Sequence, residues 1–599
     1  MLVADFEVFK HNWMMVAYDL VNQEKIEVID DRNKLLKIYE KYKDDLWVFY
    51  NGRSYDQWIF KAIICGFDPK EVNDFIIVQG RKGHEFSSML NRVKLNIYDA
   101  MTMPVSLKVL EGFIGSDIRE TTVPFDIDRP LTKEEIAEVL FYCEHDVNML
   151  GIVLNNKESM KDFNAQWGLL HMFNLPMSDM GRTKAQLGAK ILGASRPIKP
   201  REDDIDFSIP ETIKIEKYKY VIDWFRDMQR KARRIKRHDG LEDAVGWMYK
   251  QKLETVVAGV DTIFAWGGLH GSVRTTQEDG YFYDIDASSF YPAIMIEYGL
   301  LSRNVRDPNK FVEIRDSRLV YKRAGDKRAN SLKLLINSVY GASGDKYNNL
   351  FDNKRRNEVC IYGQLLLLDL VEHLESVCDM RAYNTDGITI KLRATNDEEA
   401  KSEFAKVVDV CQEWERRTRI DLEYNGYRKI IIRDVNNYVM LPHGDLFDDK
   451  GNPRWKSKGG VVKKLHDLDY DLPIVNRAVV NYLTQGIPTE ETVGCCTELR
   501  DFQKIYKVSG KYMYAMHNGK RLTEKVFRVF ASKRSDDTAL FKVKDKGVKG
   551  LVPEKFAECP NNCFIDNTDV TGKPLPEYLD KTWYIELANK RIKEFLYGK

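Results

Sequence analysis

The sequence has no long apolar run. Nothing approaches the roughly 18–20 consecutive apolar residues that cross a bilayer as a helix, which argues against a membrane-spanning chain. Met1 is followed almost at once by the strand-like Val3–Phe9, leaving no room for a signal or transit peptide, so a cytoplasmic location is expected. The nine cysteines include no C-x-x-C pair, and Cys559 with Cys563 has no matching second pair; reduced thiols are expected, not a zinc knuckle or a disulfide framework. An excess of either charge is missing too, with 92 Lys and Arg against 91 Asp and Glu, a net +1. A phosphate-binding surface, if there is one, must therefore be local. No fixed-period repeat and no low-complexity tract occurs. What remains is a chain of 599 residues, 43% hydrophobic and 31% charged, ordinary for a globular protein of several domains.

Against that background three short segments stand out: Asp286-Ala-Ser-Ser-Phe-Tyr-Pro292, Lys333-Leu-Leu-Ile-Asn-Ser-Val-Tyr-Gly341 and Tyr383-Asn-Thr-Asp-Gly387. Gly280–Asp286 is aromatic and β-branched, with strand character broken after Asp286 by Ser-Ser and Tyr-Pro. Two apolar stretches flank Asn-Thr-Asp-Gly, and Asp-Gly is a strong hairpin signal, so Asp386 is expected at a hairpin tip. If the two strands are antiparallel neighbours, their carboxylates can hold two Mg²⁺ ions about 3.5–4 Å apart. Lys333, Asn337, Tyr340 and Gly341 share one face of a helix. Lysine offers charge to a triphosphate, the aromatic a surface for a base pair, and glycine close backbone approach. An ordinary amphipathic helix with one solvated lysine gives the same spacing.

The N-terminus carries a second set. Asp5 and Glu7, two apart on a strand, point to the same face. Asn51-Gly-Arg-Ser-Tyr-Asp56 places another acid after an aromatic, and Tyr142 and Asp146 stand four apart on a helix. Any one of these acids alone is more often a surface carboxylate or a helix cap.

In order and chemistry the central segments resemble motifs A, B and C of the family B DNA polymerases, with the nearest look to phage enzymes related to the protein-primed type. The resemblance implies Asp286 and Asp386 as metal-binding catalytic carboxylates, Tyr291 as the residue that rejects a 2′-hydroxyl, and Lys333, Asn337, Tyr340 and Gly341 at the incoming nucleotide. Two departures are present: Asn384 replaces the first Asp of the family's D-T-D triplet, and Gly387 replaces the following Ser. The N-terminal set resembles the motifs of DnaQ-like 3′–5′ proofreading exonucleases, implying Asp5, Glu7, Asp56 and Asp146 as metal ligands and Tyr142 as the residue orienting the attacking water. Ser106-Leu107, with Asn51, resembles the segments that hold a frayed primer end. Gly267-Gly268 resembles the segment joining exonuclease and polymerase, near the template. Tyr438, Lys456 and Lys458 match primer-phosphate segments, while Asn436 stands where a Lys is usual.

The fold class implied is α/β and α+β multidomain, an RNase H-like exonuclease followed by a right-hand polymerase. The expected division is exonuclease 1–170, a linker or inserted basic region 171–260, palm 261–300 and 346–460, fingers 301–345, and thumb with C-terminal region 461–599. The interval between Asp286 and Lys333 has room for little more than two antiparallel helices, so the insertions of protein-primed enzymes are not expected. Within the basic region, Gln229–His238 has six basic residues in ten; DNA contact and a helix face balanced by nearby acids are both open.

The function implied is DNA-directed DNA polymerisation with proofreading, using Mg²⁺, two per site, with Mn²⁺ as a substitute. Primer-template DNA and dNTPs are the expected partners, together with phage helicase, primase and single-strand-binding protein. A monomer without membrane contact, in the cytoplasm of an infected bacterium, is expected. The alternative is a 3′–5′ exonuclease whose polymerase half has decayed into a DNA-binding module. A noncatalytic replication or packaging protein fits the paired carboxylates poorly, and a reverse transcriptase is disfavoured because the hairpin carries one Asp, not an adjacent pair.

Overall fold

A computed structural model describes residues 1–197 and 201–598. Residues 198–200, inside the turn-rich Arg196–Asp204 stretch, lie outside the described residues. The architecture is mixed α/β, with four sheets among the described residues. The chain forms two compact units, one of residues 1–182, 464–475 and 490–587, the other of residues 183–463, 476–489 and 588–599.

The first unit begins with strands β1 (Leu2–Val8), β2 (Trp13–Asp19), β3 (Glu24–Ile29), β4 (Leu46–Phe49) and β5 (Asn96–Asp99). They form one sheet in the order β3-β2-β1-β4-β5, with β1 antiparallel to β2 and parallel to β4. Period two sorts β1: Leu2, Ala4, Phe6 and Val8 enter a core with Trp47, Phe49 and Phe60, which leaves Asp5 and Glu7 on the other face. The helix Lys133–Asn155, started by a reciprocal Thr132–Glu135 capping box, packs against β1 and β2.

The second unit is built on strands β6 (Leu253–Val257), β7 (Val260–Phe264), β8 (His270–Ser272), β9 (Thr276–Ala287), β10 (Asp379–Asn384), β11 (Gly387–Lys391), β12 (Leu422–Asp434), β13 (Asn437–Pro442) and β14 (Lys456–Lys458). The nine-stranded order is β14-β13-β12-β9-β11-β10-β8-β7-β6. Tyr283 of β9 stacks on Phe404 of the helix Asp397–Thr418, with ring centroids 3.9 Å apart, so that face of the sheet is covered. Phe282, Asp284 and Asp286 take the opposite face. Between Asp286 and Lys333, where room for little more than two antiparallel helices was expected, a short helix Phe290–Glu297 is followed by Asn309–Arg323 and by the start of Arg328–Ser343, and the latter two pack on each other.

The basic region contains a 21-residue helix, Lys219–Asp239, that buries Val221, Ile222, Phe225, Met228 and Ala232. Of its outward cations, Arg230 and Lys231 pair with Asp227, Arg233 with Asp206 and Lys236 with Glu202.

The region read from chain position alone as one C-terminal segment divides between the two units. Most of it forms a three-stranded and a four-stranded sheet and belongs with the N-terminal sheet. Arg528 makes that link physical. Its fully buried guanidinium donates to the Gln503 side chain at 3.1 Å and to the carbonyls of Thr568 and Ser116, each at 2.6 Å. Weaker donations reach the Glu111 and Gly112 carbonyls at the C-terminal end of the helix Leu107–Ile114.

Candidate functional site

In the first unit the four predicted acids and the tyrosine converge. Asp5 and Glu7 come from β1, Asp56 from the first turn of the helix Asp56–Cys65, and Tyr142 with Asp146 from consecutive turns of Lys133–Asn155. Because the sheet and that helix enclose them, Glu7, Asp56 and Asp146 are 7%, 2% and 7% exposed. Burial and repulsion from Asp146 push Asp5 up to about 8. Burial and repulsion from Asp5 hold Glu7 and Asp56 well above the ordinary carboxylate range. Burial lifts Asp146 to about 6 against the pull of Lys108. Mutually repelling buried carboxylates are costly unless a cation joins them. Asp56 Oδ1 is buried without a hydrogen-bond partner, an oxygen free to ligate a hard cation. The Cys143 thiol lies 3.8 Å from Asp5 Oδ2.

Several neighbours were not legible as site residues. Lys108 pairs with Asp146, lies 3.1 Å from Glu111 Oε1, and sits 4.5 Å from the Tyr142 ring centroid. Its local sequence carries no pointer to Asp146, 38 positions away. Asp99, ending β5, accepts from the backbone N–H of Asn51 at 2.9 Å and of Arg53 at 3.1 Å, and so shapes the loop in which Asn51 takes φ 65°. Ser106 precedes the helix Leu107–Ile114, and its Oγ is buried without a partner. Leu107 and Tyr50 both pack against the cluster of Leu110, Val153 and Leu468.

In the second unit β9 and β11 are antiparallel neighbours, and Asp286 stands opposite Gly387. The hairpin differs from expectation in one respect. Asn384 pairs with Gly387, so the turn residues are Thr385 and Asp386, with Thr385 at φ 55°, and Gly387 is already in the strand. The glycine serves the neighbouring carboxylate instead: a Cβ at 387 would lie 2.1 Å from Asp286 Oδ1. Gly268 has the same relation to the tip, since a Cβ there would lie 2.5 Å from Thr385 Oγ1; Gly267 accepts from the Cys360 thiol at 2.6 Å.

Asp286 and Asp386 open onto a cleft of about 440 Å³ that Tyr291, Lys333, Asn337 and Tyr340 also line. Gly341 lies next to it on the same helix and is exposed. Tyr291 packs on Tyr340 with ring centroids 4.4 Å apart. Sequence reading passes over two further cations of this cleft, Arg318 and Lys322, both from the helix Asn309–Arg323. Arg318 donates to Ser289 Oγ at 2.8 Å, and Lys322 lies 3.6 Å from Glu423. Burial and the adjacent Asp284 raise Asp286 to about 6, and burial raises Asp386.

Asp284 was also overlooked, although its two-residue spacing from Asp286 is the signal that joined Asp5 to Glu7. Lys456 binds Asp284 and lies 3.4 Å from Asp286 Oδ2, while Lys458 reaches Asn384 Oδ1 at 3.4 Å. Tyr438 is buried among Phe282, Tyr427 and Met440, and Asn436 donates its N–H to Asp434 at 2.9 Å. No helix among the described residues is long and apolar enough to cross a membrane.

No family model matches the chain, and no curated protein matches it. Among solved structures it is similar to the family B DNA polymerase from the hyperthermophilic archaeon Pyrobaculum calidifontis, at 12% identity and a TM-score of 0.40, over 100% of this chain and 77% of that chain.

Proposed function

We propose that the chain is a DNA-directed DNA polymerase of the family B, phage type, with a 3′–5′ proofreading exonuclease. The observation that carries the reading is the cleft of the second unit, where Asp286 near the end of β9 and Asp386 in the neighbouring hairpin turn line the same space as Lys333, Asn337 and Tyr340. The reading assigns the N-terminal sheet to the exonuclease, the nine-stranded sheet to the palm, the helices Asn309–Arg323 and Arg328–Ser343 to the fingers, and the C-terminal sheets to the thumb region.

Asp286 and Asp386 offer hard oxygen donors of the kind Mg²⁺ takes, and so do Asp5, Glu7, Asp56 and Asp146, of which Asp5 and Glu7 lie within ligating distance of one another. Held there, Mg²⁺ would supply Lewis-acid stabilisation of charge developing at the phosphate. The chain's own residues do the positioning. Lys333, Arg318 and Lys322 place positive charge where a triphosphate enters, and a fixed cation is worth most where developing charge is held away from water. Tyr291, held against Tyr340, is a flat wall for the sugar; selection of dNTP over NTP is then steric, since the 2′-hydroxyl is the atom that differs.

At the other site the Tyr142 hydroxyl orients the attacking water, while Lys108, over the Tyr142 ring and paired with Asp146, holds that carboxylate in place. Asn51, Ser106 and Leu107 take the frayed 3′ end. The reading assigns Gly267, Gly268, Tyr438 and Lys458 to template and primer. Primer-template DNA and dNTPs are the partners in this reading, with phage replication proteins in an infected host.

Two variants test the assignment. Asp386→Ala should abolish primer extension and leave degradation of single-stranded DNA, and Asp5→Ala should do the reverse. Loss of both activities in either folded variant refutes the division of labour.

A further inference from the structure

Asp284 has no part in the reading above, yet it is among the most enclosed polar groups of the second unit. It is 4% exposed, shares the open face of β9 with Asp286, and accepts from Thr389 Oγ1 at 3.2 Å. Its remaining oxygen takes the Lys456 ammonium, which also lies 3.4 Å from Asp286 Oδ2. Lys456 is 172 positions along the chain from Asp284, on the edge strand β14, and reaches across the sheet to this pair. The ammonium is therefore shared between one carboxylate sealed in the sheet and one that opens onto the cleft.

We propose that Asp284 is a positioning residue: it parks Lys456 as the internal counter-cation of Asp286 and retains that ammonium when a divalent cation takes the place at Asp286. The proposal rests on the reading of Asp286 and Asp386 as cation ligands. Asp284, Asp286 and Asp386 in one cluster repel each other, and one ammonium offsets part of that repulsion. A divalent cation at Asp286 repels the ammonium in turn. Asp284 is enclosed and keeps its partner, so Lys456 retires toward Asp284 and stays within the sheet. Lys456 thus competes with the divalent cation, and Asp284 limits that competition.

Removing the two charges should act in opposite directions. Lys456→Met removes the competitor and should tighten cation binding. Asp284→Asn removes an anion and releases the ammonium to Asp286 alone, and should weaken it. A pair that serves only the fold would move both affinities the same way or leave them unchanged.

The test is Mn²⁺ binding to the full chain, read as loss of the free-ion electron paramagnetic resonance signal, in an Asp5→Ala, Glu7→Ala background that silences the N-terminal site. We expect Kd to fall about tenfold in Lys456→Met and rise about tenfold in Asp284→Asn, a modest share of what neighbouring charges exchange at this range. Lys456→Arg, which keeps the charge, should stay near the parent. In chelator, Lys456→Met should unfold at a lower temperature than the parent, and Mn²⁺ should close the gap. Same-direction shifts, or none, overturn the proposal while leaving the cation site standing. Undiminished Mn²⁺ binding in Asp286→Ala overturns the reading of the site, and the proposal falls with it.

Discussion

Gly387→Ala isolates the geometry of the proposed polymerase site from the stability of the fold. A Cβ at this position would lie 2.1 Å from Asp286 Oδ1 and 3.1 Å from the Ile285 carbonyl, where ordinary contact begins at 3.4 Å. The backbone conflict is slight and the carboxylate conflict severe, so Asp286 must retreat by about 1 Å or leave its rotamer. The cost to the fold is that of one displaced short side chain, about 1 kcal/mol. The cost to catalysis is larger, because displacement of a reacting group by about 1 Å can lower the rate by about 100-fold. Single-turnover primer extension and thermal unfolding separate the two. The account expects a rate loss near 100-fold, a nearly unchanged unfolding temperature, and full 3′ degradation of single-stranded DNA. Extension within about threefold of the parent would refute the placement of Asp286 at the reacting centre.

Other consequences follow from the same contacts. Metal-free protein should lose stability as pH rises from about 4 to about 8, because Asp5 and Asp146 hold their protons more tightly folded than unfolded, at about 8 and about 6; the stabilisation is complete below their unfolded values and gone above the folded ones. Thermal unfolding in chelator at pH 5 and pH 8.5 measures this, and added Mg²⁺ should restore most of the loss at the higher pH. Arg528→Met should strip donors from the Ser116 and Thr568 carbonyls and destabilise the first unit by about 3 kcal/mol or more, read by denaturant unfolding. Gly268→Ala should disturb Thr385 and with it the tip carrying Asp386, lowering extension while leaving exonuclease activity intact.

What could be read in the sequence was local. Period two put Asp5 beside Glu7, helical spacing put Tyr142 on the same face as Asp146, and Lys333 shares one helix face with Asn337 and Tyr340. Each rests on residues within eight positions of one another, where backbone geometry alone decides the outcome. The hairpin was legible as a hairpin, but its turn pair moved back one residue, because Gly387 is needed opposite Asp286 more than it is needed in the turn. The pairings of Lys456 with Asp284 and Lys108 with Asp146 were out of reach, since strand order and helix packing create them. The same holds for Arg528, a lone basic residue in sequence and a bridge to the helix Leu107–Ile114 in space. In the helix Lys219–Asp239, the run of cations was visible while two of the acids that pair with it, Asp206 and Glu202, lie outside the helix.

The central claim is that one chain carries an extending site at Asp286 and Asp386 and a degrading site at Asp5, Glu7, Asp56 and Asp146. A 5′-labelled primer annealed to a longer DNA template, incubated with protein and Mg²⁺ with and without dNTPs, tests it most directly. The account predicts extension when dNTPs are present and 3′ shortening when they are absent. Shortening in both conditions by folded protein would contradict it and favour a nuclease with a decayed polymerase half, making Asn384→Asp the first reversion to try.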